Sequence, residues 1–118
     1  LTSYDLAMAC AASAEDKKGK NIVIMNLQGI SIIADYFVVC TGSNAIQVKA
    51  ISDHTHEKLS LEGLSPLRTE GLRDARWVLM DFGTVVVHIF QEEERLYYNL
   101  ERLWGDAKFT YYGEQQAK

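Results

Sequence analysis

Few side chains in this sequence have the reactivity to do chemistry: three histidines, two cysteines and 16 carboxylates. His54 and His56 stand two apart in a predicted helix, which sends them to different faces, and His88 falls in a predicted strand. No cysteine or carboxylate spacing completes a tetrahedral set with them, so no metal site is expected. Cys10 and Cys40 sit among apolar neighbours, where a free cysteine behaves as a small hydrophobe, and their separation is not that of a redox pair. Both are expected as buried thiols, which points to a reducing compartment. The Cys40-Thr41-Gly42-Ser43 stretch has no neighbouring histidine to activate a nucleophile. No catalytic residue, metal ligand or cofactor is therefore assigned.

Gly42-Ser43 lies between a predicted strand and a predicted helix, the position of the phosphate-holding Gly-Ser turn in nucleotidyltransferases. Those enzymes also need a pair of carboxylates on a following strand to hold two metal ions. No Asp-x-Asp or Glu-x-Asp falls on a later predicted strand here; Asp53 is inside a helix and Asp81 stands alone. The turn reads as a simple connection, and a related sheet topology is expected without the activity.

The richer feature is a hairpin over residues 76–90. If Phe82-Gly83 is a two-residue turn, Asp81 faces Thr84, Leu79 faces Val86 and Trp77 faces His88. One face then carries Val78, Met80, Val85, Val87 and Ile89, a plain core face. The other carries Trp77, Leu79, Asp81, Thr84, Val86, His88 and Phe90, which mixes aromatic and aliphatic groups with an acid, a hydroxyl and an imidazole. Aromatic anchors with polar groups to set register are what a protein-binding patch contains. The alternative is that the last helix covers this face and leaves Asp81 and His88 at its margin.

The elements that must position the hairpin follow from the pattern. A helix capped by Ser3 or Asp5 is expected to run to a left-handed stop at Gly19, with Lys17 and Lys18 favourable at its negative end. Two apolar runs, residues 21–27 and 34–41, lack alternation and read as strands covered on both faces. Asn44 with Gln47 gives a capping box for a helix that ends at Gly63. Residues 64–70 contain the one proline, Pro66, and make an edge strand at best. Residues 92–104 read as a helix with three acids at its positive end and an apolar stripe of Leu96, Tyr97, Leu100, Leu103 and Trp104. Arg95, Glu101 and Arg102 are expected as solvated charges. This order predicts a single α/β domain, residues 1–106, with a mixed sheet of about five strands flanked by helices, and a loosely held tail over 107–118.

Composition bounds the reading further. At 118 residues, 47% hydrophobic and 24% charged, the chain is one ordinary globular domain able to form a core without disulfides or metals. Twelve basic against 16 acidic residues give net −4, which disfavours gripping nucleic-acid phosphates and favours a basic protein surface as partner. Direct DNA binding is not expected. No apolar run reaches the roughly 18–20 residues of a membrane span, so no membrane association is expected. The N-terminal residues show neither a secretory nor a transit pattern, and the cytosol is the expected location.

Three stretches together resemble one family: Ala34-Asp35-Tyr36-Phe37-Val38-Val39-Cys40-Thr41-Gly42-Ser43 with its helix, Glu70-Gly71 through the hairpin, and residues 92–104. They are similar to the ribosomal silencing factor, or Iojap-like, family over roughly residues 3–106. The matches to its motif are Trp77, Asp81, Gly83, His88, Tyr98, Leu103 and Trp104. The resemblance implies a nucleotidyltransferase-like topology without the catalytic acids. It implies binding to the large ribosomal subunit through its fourteenth protein, on the face that meets the small subunit. Subunit joining is thereby blocked and translation falls during starvation or stationary phase; organellar relatives are linked to large-subunit assembly. Asn26 and Thr84 stand where relatives commonly carry acids, which leaves Asp81 and Asp74 as the expected partners of basic side chains. The implied contact set is thus Asp74, Trp77, Leu79, Asp81, Thr84, Val86, His88, Phe90, Tyr98 and Trp104. A body some 30–35 Å across, as expected for this length, would block by bulk alone. The alternatives are an enzyme of nucleotidyltransferase ancestry and a module that forms a homodimer through the hairpin face. A bacterial cytoplasm is expected, with an organellar relative as the alternative.

Overall fold

The computed structural model describes residues 1–113. Helix α1 (Ser3–Asp16) begins at a capping box one residue earlier than expected: Thr2 accepts the Asp5 N–H on its hydroxyl, and Asp5 accepts the Thr2 N–H. Its left-handed stop is Lys18, at φ 65°, while Gly19 serves close packing. A Cβ at Gly19 would lie 3.0 Å from the Ala14 carbonyl oxygen. Strands β1 (Lys20–Asn26) and β2 (Tyr36–Gly42) follow, and every residue of β2 is buried. Asn26 closes β1 by accepting the Gln28 N–H at 2.9 Å, a turn that its amide makes without a charge.

Helix α2 (Ala45–Ser60) is capped by Asn44, whose side chain accepts the Gln47 N–H at 2.9 Å. Gln47 reaches back one residue further than a capping box would, to the Ser43 N–H, and donates to the Lys17 and Lys18 carbonyls. That amide fastens the start of α2 to the end of α1. His54, on α2, pairs with Asp16 of α1 at 3.0 Å and adds a second tie. Gly42 has a packing reason: a Cβ there would stand 2.8 Å from Val48 of α2.

The short edge strand β3 (Arg68–Glu70), the hairpin β4 (Trp77–Asp81) and β5 (Val85–Gln91), and β6 (Lys108–Tyr112) complete a six-stranded sheet in the order β3-β4-β5-β2-β1-β6. Only β2 and β5 run parallel, so the sheet is mixed. Three expectations change. The hairpin pairs Trp77 with Phe90, Leu79 with His88 and Asp81 with Val86, because the Phe82 N–H bonds to the Val85 carbonyl around a Gly83-Thr84 turn. Gly83, at φ 92°, occupies the position that needs a left-handed backbone. The pairing moves by two residues, and with a side-chain period of two every residue keeps its predicted face.

Second, the single helix over 92–104 is two, α3 (Glu92–Tyr98) and α4 (Leu100–Leu103), broken at left-handed Asn99. Asn99 then caps α4 by accepting the Arg102 N–H. Third, residues 108–112, expected in a loose tail, form β6 and pair along β1 from Ile22–Tyr112 to Asn26–Lys108. Residues 114–118 of that predicted tail lie outside the described residues.

Helices α1 and α2 cover one face of the sheet, where Val78, Met80, Val85, Val87 and Ile89 are all fully buried, as their alternation predicts. Cys10 and Cys40 are free and buried in this layer, and burial pushes both thiols up to about 12. They are inert at neutral pH. Among the described residues, no helix is long and apolar enough to cross a membrane.

Candidate functional site

Cross-strand partners share a face, so the second side of the sheet can be read across from its register. From the β3 edge inward it carries Arg68 and Glu70, then Asp81, Leu79 and Trp77, then Val86, His88 and Phe90, then Phe37, Val39 and Thr41. The segment from α3 through Ala107 packs over the β5–β2–β1 part of this face, with Leu100 buried and Trp104 half-buried against Val23, Met25, Phe37 and Val39. It stops short of the hairpin edge. The face is therefore covered only in part: Phe90 and His88 are buried, His88 not at the margin where the covered-face alternative put it, whereas Trp77, Leu79, Asp81 and Val86 remain half-open.

Aromatic rings bind the two parts together. The Trp77 indole stacks on Phe90 at 5.0 Å between centroids and meets Tyr98 of α3 at 4.6 Å. His88 sits edge-on to Phe37 at 4.5 Å, and Phe37 in turn meets Trp104 at 6.0 Å. Trp77, His88, Phe90, Tyr98 and Trp104 from the predicted set thus form one connected group, with Phe37 as the link that the sequence reading left out. Its signal was available: Phe37 and Val39 alternate on β2 in phase with the hairpin's mixed face.

His88 is 4% exposed. Its Nδ1 accepts the Trp77 indole N–H at 3.1 Å, and Nε2 has no hydrogen-bond partner among the described residues. Burial pushes its pKa from 6.5 down to about 4, so the ring is neutral at physiological pH. An indole nitrogen only donates, so the His88 proton resides on Nε2. His88 and Phe90 consequently form a floor under the open residues; burial keeps their rings from offering contact area of their own.

The acids differ from one another. Asp81 is engaged within the chain, accepting the Gly83 N–H at 2.8 Å and lying 3.4 Å from Arg68. Asp74 is exposed in the β3–β4 connection, and Thr84 is exposed at the far end of the hairpin. These two flank opposite ends of β4, roughly 13 Å apart or more by strand rise. The connection is tight beside Trp77: a Cβ at Gly71, φ 88°, would fall 2.0 Å from the Trp77 carbonyl oxygen, so only glycine fits.

Two expectations about the last helices are overturned. Arg95 is buried rather than solvated, because the break at Asn99 turns α4 back toward it. Its guanidinium donates to Glu101 at 2.7 and 3.1 Å, to Thr41 Oγ1 at 2.9 Å and to the Asn21 carbonyl at 2.6 Å. The same break leaves Leu96, Tyr97 and Leu103 outward at 68%, 79% and 70% exposure, so only Leu100 and Trp104 of the predicted stripe face inward. Among the described residues no group of three or more His, Cys, Asp or Glu side chains is placed to hold a metal ion.

Fold and face together define a small mixed α/β domain whose conspicuous feature is an aromatic, partly open sheet edge. A family model described as "Ribosomal silencing factor during starvation" matches residues 1–118. A protein described as ribosomal silencing factor RsfS from Bacillus subtilis is 46% identical over 107 residues, covering 91% of this chain and 91% of that one. The chloroplastic protein Iojap of Zea mays is 30% identical over 101 residues, 86% of this chain and 44% of its own length. A crystal structure of a Chromobacterium violaceum protein superposes with a TM-score of 0.87 at 30% identity, covering 99% of this chain and 98% of that chain. The chain belongs to the ribosomal silencing factor family. Proteins of this family are generally non-enzymatic regulators.

Proposed function

We propose that this protein binds the large ribosomal subunit through its fourteenth protein, a basic protein of the intersubunit face, and keeps the small subunit from joining. The observation that carries the reading is the half-open aromatic edge centred on Trp77, fixed from below and flanked by exposed Asp74. Affinity comes from Trp77, Leu79, Val86 and the exposed Tyr98, with Trp104 supporting from the covered side. Asp74 and Asp81 set register against basic side chains, and exposed Thr84 lies at the margin. Net −4 suits a basic protein and is repelled by bare RNA phosphates. The body measures 35 × 33 × 26 Å, enough to separate bridging surfaces without chemistry. Repression under nutrient limitation follows from the block, in the bacterial cytoplasm that the bacterial relatives suggest.

Trp77→Ala is expected to weaken large-subunit binding by about 2 kcal/mol, the loss typical of an aromatic hot spot. Sucrose-gradient profiles of subunit joining, with and without the protein, measure the effect. If a folded Trp77→Ala, Asp81→Lys double variant still sediments with the large subunit and still blocks joining, this edge is not the contact. Sedimentation of the free protein tests the alternative in which two copies share the face.

A further inference from the structure

We infer that His88 is a positioning residue for that contact: from beneath the face it accepts the Trp77 indole N–H and fixes the plane in which the indole is offered to a partner. The inference rests on the proposed docking role of Trp77. Its grounds are geometric. Trp77 is only half-buried, yet three rings hold it: Phe90 stacked at 5.0 Å, Tyr98 at 4.6 Å, and His88 through the 3.1 Å hydrogen bond. Stacking on Phe90 restrains the tilt of the indole but allows it to turn over within the stack. The bond to Nδ1 removes that freedom, since only one edge of the indole carries a donor.

A second observation points the same way. With Nδ1 committed to Trp77, the neutral ring must carry its proton on Nε2, and that nitrogen is buried without a partner. An unpaired buried donor is unfavourable, and an apolar residue at this position would avoid it. The imidazole is instead retained in a pocket walled by Phe37 and Phe90. What it contributes there that phenylalanine would not is an acceptor aimed at Trp77. Pre-ordering a hot-spot side chain removes the ordering cost of binding, so the bond acts on affinity as well as on the free fold.

Two variants separate these roles. His88→Phe keeps ring volume and loses the acceptor, while His88→Asn places an amide oxygen close to the position of Nδ1. In the free protein, Trp77 and Trp104 give two indole N–H signals in a nitrogen–proton NMR spectrum. Solvent exchange of the Trp77 proton is expected to be at least about tenfold faster in His88→Phe and near wild type in His88→Asn. Large-subunit affinity is expected to fall about tenfold in His88→Phe and to stay within about threefold of wild type in His88→Asn. Unchanged Trp77 exchange in a folded His88→Phe variant overturns the inference. So does unchanged subunit affinity in that variant when Trp77→Ala is impaired. If Trp77→Ala itself binds normally, the docking reading fails, and the exchange experiment still decides whether His88 orders Trp77.

Discussion

Arg95→Met is expected to lower the stability of this protein by about 3–4 kcal/mol, the loss seen when one partner of a buried ion pair is removed. The guanidinium reaches three separate parts of the molecule: Glu101 beyond the Asn99 break, Thr41 on β2 and the Asn21 carbonyl at the start of β1. Methionine matches the length of the stem and fills much of its space, so the change isolates the polar contacts. It leaves Thr41, itself 4% exposed, without the donor it now has, and it leaves Glu101 without its cation. Glu101 keeps some access to water, its side chain being 26% exposed, which holds the loss below the upper limit for such pairs. Equilibrium denaturation reads the change as a lower midpoint at unchanged slope. Adding Glu101→Gln is expected to restore part of the loss, because the stranded charge is then gone. Equal midpoints for Arg95→Met and wild type would show that the helices are held by Leu100 and Trp104 packing alone.

Arg95 also marks the boundary of what the sequence discloses. Both faces of the hairpin could be read from period-two alternation even though the turn is placed one residue too early, because a two-residue shift in pairing preserves facing. Asn44 and Gln47 announced the second helix by chemistry confined to a few residues. The burial of Arg95 depends instead on a chain reversal at Asn99, whose left-handed backbone has no signal beyond the identity of the residue. Without that break, residues 92–104 form one amphipathic helix in which Arg95 belongs to the wet side and Leu103 to the dry side; with it, the two exchange surroundings. Strand β6 was hidden for a different reason. Its partner β1 is distant in sequence, and Lys108-Phe109-Thr110-Tyr111-Tyr112 becomes a strand only by lying on that edge. As to the candidate site, the residue types and the face were legible. The depth of each was not, since coverage of Phe90 and His88 is decided by where the α3–α4 segment stops.

That coverage has a consequence in acid. Stability is expected to fall by about 2 kcal/mol between pH 7.5 and 5, and by about 3 kcal/mol at pH 4, through His88 alone. In the unfolded chain its imidazole protonates near its ordinary value of 6.5, whereas burial holds it neutral in the folded protein until about 4. Between those values the unfolded state binds the extra proton, so the contribution of His88 is fully present above pH 6.5 and drains away as pH falls toward 4. Carboxylates add their own acid dependence, and the comparison that isolates His88 is wild type against His88→Asn across the same range. The difference in unfolding free energy between them is expected to shrink or reverse as pH drops, and a difference that stays constant from pH 7.5 to 4 would mean that His88 titrates normally in the folded state. Burial is the cause of that resistance, and the hydrogen bond to Trp77 is also incompatible with a charged ring. The nitrogen that must take the proton is Nδ1, and the atom opposite it is the indole N–H of Trp77, so a charged ring would set two donors against each other. Escape requires either Trp77 or His88 to leave its place. Stability thus begins to fall near pH 6.5, where the unfolded chain takes up the proton, whereas an ordered Trp77 is expected to be lost only near pH 4, where folded His88 itself is protonated.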